Sequence, residues 1–244
     1  MDEIGEAVSV GRTYEQVALA IETQIMSRAL VQGDALPPET VMAAQLGVNR
    51  STLREALRTL EQNGLVYREA GRKKLRIGTP RPADLSRRFT SAMILQEVSF
   101  EELFETMRAL EPATAEAAAK RATAEDIADL EDNLARTRRA VNDSASLTAL
   151  DIEFHALVAK AARNRAIDLA RHPLSHLFYP AFYAVMSRLN AAERLLIAHE
   201  HVVDAIRQGD AGTARTWMDR HISDFRRGYH LANLDMTGPV SPMA

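Results

Sequence analysis

Asp151, His155, His199 and His221 are the residues whose types and spacing best suit chemistry. They fall on three predicted helices, each time within the apolar stripe. Asp151 and His155 are one helical turn apart and share a face with Leu147, Phe154 and Val158. His199 lies in line with Leu195, Val202 and Ile206, and His221 with Ala214, Trp217, Met218 and Phe225. A polar side chain in an apolar stripe needs a partner. One carboxylate and three neutral imidazoles suit Zn²⁺, Ni²⁺, Mn²⁺ or a similar divalent ion, one per chain. The plainer alternative is three core histidines satisfied by hydrogen bonds. The other histidines serve as a control. His201 is two residues from His199 and faces nearly the opposite way. His230 lies near Arg226 and Arg227. His172 and His176 are i,i+4, but Pro173 intervenes and no carboxylate partner stands out.

A second group of residues suits nucleic acid. Arg50, Ser51, Thr52 and Arg54 occupy the first turn of a predicted helix, with Arg58 one turn on. Such a turn reaches base edges in a major groove, and the helix dipole favours phosphate there. Gly47-Val48-Asn49 forms a tight turn before it. Leu65–Tyr67 and Leu75–Ile77 follow as a predicted hairpin, with the basic tip Gly71-Arg72-Lys73-Lys74. Lys73 is a candidate phosphate contact. The alternative is an ordinary charged surface.

The elements that must position these groups fall into two halves. The net charge of −3 conceals a split: eleven Lys/Arg against four acids between Arg50 and Arg88. One half therefore suits phosphate and the other does not. The first eleven residues read as a loose tail. Residues 12–78 read as a winged helix-turn-helix, 79–83 as a linker, 84–232 as a helical domain and 233–244 as a disordered tail. The fold class is mainly α, the second half an all-helical bundle of six or seven helices. These are expected near 83–97, 99–121, 123–141, 146–163, 165–188, 191–208 and 210–232, with Pro112, Pro173 and Pro180 kinking or starting helices. The absence of cysteine excludes disulfides and thiolate metal sites. No signal peptide and no bilayer-length apolar run are visible, so a cytoplasmic protein is expected.

Leu36-Pro37-Pro38-Glu39, with the run from Gly47 to Val66 (GVNRSTLREALRTLEQNGLV), resembles the GntR family of bacterial transcription regulators. The resemblance implies DNA contacts at Arg50, Ser51, Thr52, Arg54 and the wing Gly71. The family usually has arginine where this chain has Thr40. Four further segments, 107–119, 151–164, 199–210 and 217–222, resemble the FCD effector domain of the FadR subfamily. That resemblance implies a helical bundle, a homodimer and often a divalent metal that helps bind a small carboxylate. Arg108 and Asn164 match family positions and are candidates for the effector pocket. An exposed ion pair with Glu105 or Glu111, and a helix C-cap, are the respective alternatives.

Together these features describe a ligand-responsive regulator, not an enzyme. It is expected to be a homodimeric repressor on a palindromic double-stranded DNA operator, released by a small carboxylate. Two rivals remain at this stage: a metal-dependent hydrolase with a DNA-binding appendage, and a constitutive DNA-binding protein with a structural metal.

Overall fold

The computed structural model describes residues 13–69, 74–188 and 192–240, in two compact units that divide after Arg81. The expected N-terminal tail, the wing tip with Gly71 and Lys73, and residues 241–244 lie outside the described residues.

In the first unit, Thr13 and Gln16 form a capping box that starts α1 (Tyr14–Met26). Pro38 precedes α2 (Glu39–Leu46), which Gly47 ends at φ 67°, a left-handed conformation that favours glycine. Asn49 then caps α3 (Arg50–Gln62) by accepting from the Thr52 N–H at 2.8 Å. Leu53, Leu57 and Leu60 turn inward against Val17, Ile21 and Met42. The strands β1 (Val66–Arg68) and β2 (Leu75–Ile77) pair antiparallel, Val66 opposite Ile77. A helix-turn-helix with a hairpin wing results, as expected.

The second unit is a bundle of seven helices among the described residues: α4 (Pro82–Leu95), α5 (Phe100–Arg121), α6 (Ala124–Arg139), α7 (Ser144–Ala162), α8 (Arg165–Arg188), α9 (Ala192–Gln208) and α10 (Ala211–Leu231). Capping boxes at Ser99/Glu102 and Thr123/Asp126 start α5 and α6, and Asp143 and Asp210 cap α7 and α10. Helix α5 packs on α7, α8, α9 and α10, and α4 lies on α8. The core between them holds Leu103, Phe104, Met107, Phe154, Val158, Val202, Met218 and Ile222.

Three expectations need correction. Pro82 is the first residue of α4, so the helix begins inside the expected linker; a missing N–H costs little in a first turn. Of the two roles expected for Pro112, Pro173 and Pro180, kinking or starting a helix, the second does not occur: the first proline lies within α5, the others within α8. Burial of Pro112 and Pro173 offsets the hydrogen bonds they forgo. Residues 233–240 are not a loose tail. They return to the start of α5, where Glu101 N–H donates to Met236 C=O (2.9 Å) and Phe100 N–H to Gly238 C=O (3.1 Å). Met236 and Val240 are buried there. Their apolar surface and these hydrogen bonds outweigh the loop-forming tendency of the surrounding Gly and Pro.

Candidate metal centre and nucleic-acid interface

The four residues singled out above meet in the core of the bundle. Asp151 and His155 come from α7, His199 from α9 and His221 from α10; all are buried, with one ligand atom from each lying within 4.8 Å of the others. Asp151 Oδ1 is 3.2 Å from His199 Nε2, 3.5 Å from His221 Nε2 and 3.9 Å from His155 Nε2. His221 Nε2 is 3.2 Å from His155 Nε2 and 3.4 Å from His199 Nε2. Ligands about 2.1 Å from one ion sit roughly 3.0–3.4 Å apart, so most of these separations match edges of a coordination shell. Asp151 Oδ1 has no hydrogen-bond partner despite complete burial. The imidazole nitrogens around it are close but not aligned as donors. An orphaned carboxylate oxygen facing three Nε2 atoms fits a divalent cation.

Two of the rings are held from outside the cluster. His155 Nδ1 is 2.9 Å from Glu111 Oε2; when the ring is neutral this contact holds its proton on Nδ1 and turns the Nε2 lone pair toward the centre. Arg171 Nε donates to the other Glu111 oxygen at 2.9 Å. Phe154 stacks flat on His199, 3.6 Å between centroids. Burial alone would raise the Glu111 carboxyl, but the charges of His155 and Arg171 outweigh it and hold it near about 2. Burial likewise opposes ionisation of Asp151, and the surrounding imidazoles, His155 foremost, hold it well below the usual range. Burial pushes His199 down to about 3, so this ring is neutral at neutral pH.

Glu111 and Arg171 were not singled out in the sequence. A signal existed: Phe104, Met107, Glu111, Ala115 and Ala118 form one buried helical stripe. Beside the centre, Phe182, Val185, Leu195, His221 and Phe225 line a cavity of about 30 Å³, room for one water. Arg194 and Asp224 pair at its edge, 2.9 Å apart. Arg108 is half-exposed and pairs with Asp219 on α10 at 2.8 Å, not with Glu105 or Glu111. Asn164 accepts from Ala166 and Ile167 N–H groups, so it caps the start of α8; Arg163, not Asn164, is the C-cap of α7. Neither belongs to the buried group of Asp151, His155, His199 and His221. His201 stacks on Trp217 at 3.8 Å, exposed and away from the centre.

In the first unit, Arg50, Ser51, Arg54 and Arg58 are exposed along α3. Thr52 is half-buried, its backbone N–H held by Asn49. Arg54 Nε donates to Glu39 at 2.8 Å and Arg58 to Glu55 at 2.8 Å. Contact with Arg54 lowers the Glu39 carboxyl.

A winged helix followed by a helical bundle with a buried Asp–His cluster is the architecture of a two-domain DNA-binding regulator. Comparison with known proteins agrees. Residues 13–73 match the bacterial regulatory proteins of the gntR family, and residues 102–224 match the FCD domain. The Uxu operon transcriptional regulator of Escherichia coli (strain K12) is 30% identical, covering 94% of this chain and 91% of its own length. The transcriptional repressor NanR of Salmonella newport is 28% identical over 88% of this chain and 85% of its own. Among solved structures, the Streptococcus agalactiae GntR is 29% identical at a TM-score of 0.62, covering 88% of this chain and 99% of that one. The chain belongs to the GntR family of transcription regulators, with an FCD domain as its second half. It is a DNA-binding regulator and not an enzyme, which removes the hydrolase alternative.

Proposed function

We propose that this regulator is a homodimeric repressor whose helical domain holds one divalent ion per chain on Asp151, His155, His199 and His221, and that a small carboxylate bound at that ion releases it from DNA. The observation that carries the reading is the buried, hydrogen-bond-free Asp151 Oδ1 facing three Nε2 atoms. The ion, when bound, supplies a positive charge for a carboxylate; Glu111 and Phe154 hold two of the rings that face it. The relative described as a repressor supports repression. The reading places the chain in the cytoplasm, where its DNA is.

On the DNA side, Arg50, Ser51, Thr52 and Arg54 enter the major groove and Arg58 meets phosphate, with Gly71 and Lys73 on the wing. Two such heads in a dimer read a palindrome. Release requires the acid to bind one arrangement of the dimer more tightly than the other. The test starts with a DNA duplex that the protein itself selects from a random-core library. Metal content is measured by elemental analysis, and small carboxylates are screened for stabilisation and then for release of that duplex. Protein without a stoichiometric ion after loading, or release by no acid, overturns the reading.

A further inference from the structure

We infer that Arg68, on the inner face of the wing hairpin, is a DNA-contacting residue that works with Arg50, Arg54 and Arg58 across one cleft. The inference rests on α3 being the groove helix.

The cleft lies between the start of α2, the outer side of α3 and strand β1. It is lined by Glu39 and Thr40 from α2, by Arg50, Arg54 and Arg58 from α3, and by Arg68 from β1. Four guanidinium groups therefore face one carboxylate. Such a concave cationic surface concentrates a phosphate backbone. Arg68 reaches it because of strand period. Val66 and Arg68 lie on the same face of β1, and Val66 is buried in the core while Arg68 sits two residues further out, opposite Leu75. The arginine stem thus runs toward the helices, not away from them.

Two carboxylates of the first unit lie near Arg68: Glu61 Oε1 at 3.6 Å and Glu39 Oε1 at 3.9 Å, both beyond good hydrogen-bond length. The Arg68 side chain is 45% exposed, so both contacts are screened by water. Arg54 differs: its Nε holds Glu39 at 2.8 Å. Glu39 therefore already has a close partner in Arg54. Thr40 is exposed on the same cleft and is too short to span it. An arginine at position 40 would put a guanidinium into the space that Arg68 enters from the other side.

The experiment uses the full chain, a duplex selected by the wild-type protein from a random-core library, and an unrelated duplex of equal length. Affinity is measured across a salt series. Arg68→Ala is expected to bind the selected duplex about tenfold more weakly and to lower the slope of log affinity against log salt by about one. Arg68→Lys should keep the slope and lose less affinity. Thr40→Arg in the Arg68→Ala background should restore both affinity and slope. A brace between Glu39 and Glu61 would behave differently: melting temperature would fall, Thr40→Arg would restore nothing, and the slope would not change. That outcome, or wild-type affinity and slope in Arg68→Ala, overturns the inference. Arg50→Ala serves as the control. If it too binds like wild type, the reading of α3 fails; if it binds weakly while Arg68→Ala does not, only the role of Arg68 fails.

Discussion

The Glu111 carboxylate decides which nitrogen of His155 is available. With Nδ1–H donated to Glu111, the Nε2 lone pair points at Asp151 and His221. A neutral amide there cannot polarise the ring, so Glu111→Gln should weaken metal affinity about 10–100-fold, measured by competition with a chelator. Unchanged affinity would show that the carboxylate only fills the core. Loss of a whole imidazole goes further: His155→Ala, His199→Ala and His221→Ala should each lose most of the ion, and His201→Ala should keep it, because that ring stacks on Trp217. Full metal in the first three, or loss in the last, refutes the assigned centre. The grouping of Asp151, His155, His199 and His221 was legible because polar residues in apolar stripes are few and stand out. Glu111 was not, since an acid three residues after Arg108 reads as a surface pair. Only the packing of α5 against α7 and α8 shows that it is buried and that Arg108 turns to Asp219.

At the scale of elements, helix ends are fixed by short polar signals. Asp126 closes the capping box of α6 and also accepts from Arg163, which sits at φ 47° at the end of α7, 2.8 Å away. One carboxylate thus joins two helix termini. Burial opposes its ionisation, but hydrogen bonds from Thr123 and Arg163 lower its pKa below the ordinary 3.8. A lowered carboxylate pKa contributes stability above the unfolded value and loses it as pH falls through the folded one. Asp126→Asn should therefore cost about 1–2 kcal/mol at pH 7. The gap to wild type should close on acidification below about pH 4. A gap that stays constant with pH would mean that the charge contributes nothing. Caps of this kind, together with apolar periodicity, made the helix positions readable to within a few residues. The C-terminal segment was misread because the compensation is tertiary: Met236 and Val240 are buried, and local composition does not reveal that.

For the whole molecule, charge asymmetry and two unrelated motif sets made the division of labour readable, and the structure divides the chain after Arg81 accordingly. The proposed metal ligands all lie beyond residue 150 in the second unit, and the proposed DNA contacts lie before residue 80 in the first. In the proposed mechanism, metal therefore acts on DNA binding only by biasing the arrangement of the proposed dimer. Stripping the proposed ion with a chelator is a blunt test, because an ion bound to the folded bundle would also stabilise it by mass action. Asp151→Asn is gentler: it keeps size and hydrogen-bonding capacity while removing the charge that three imidazoles face. The variant should bind the selected duplex within about twofold of wild type, since nothing in the first unit changes. It should need at least about tenfold more of the acid found in the carboxylate screen to release that duplex, a coupling loss of roughly 1.4 kcal/mol. Titration of the acid against a fixed protein–DNA complex, for wild type and variant side by side, measures both quantities. Release at the same acid concentration would mean that the ion only holds the bundle together and that the acid binds elsewhere. Weak duplex binding without any acid would mean that the loaded centre is itself required for the DNA-binding arrangement.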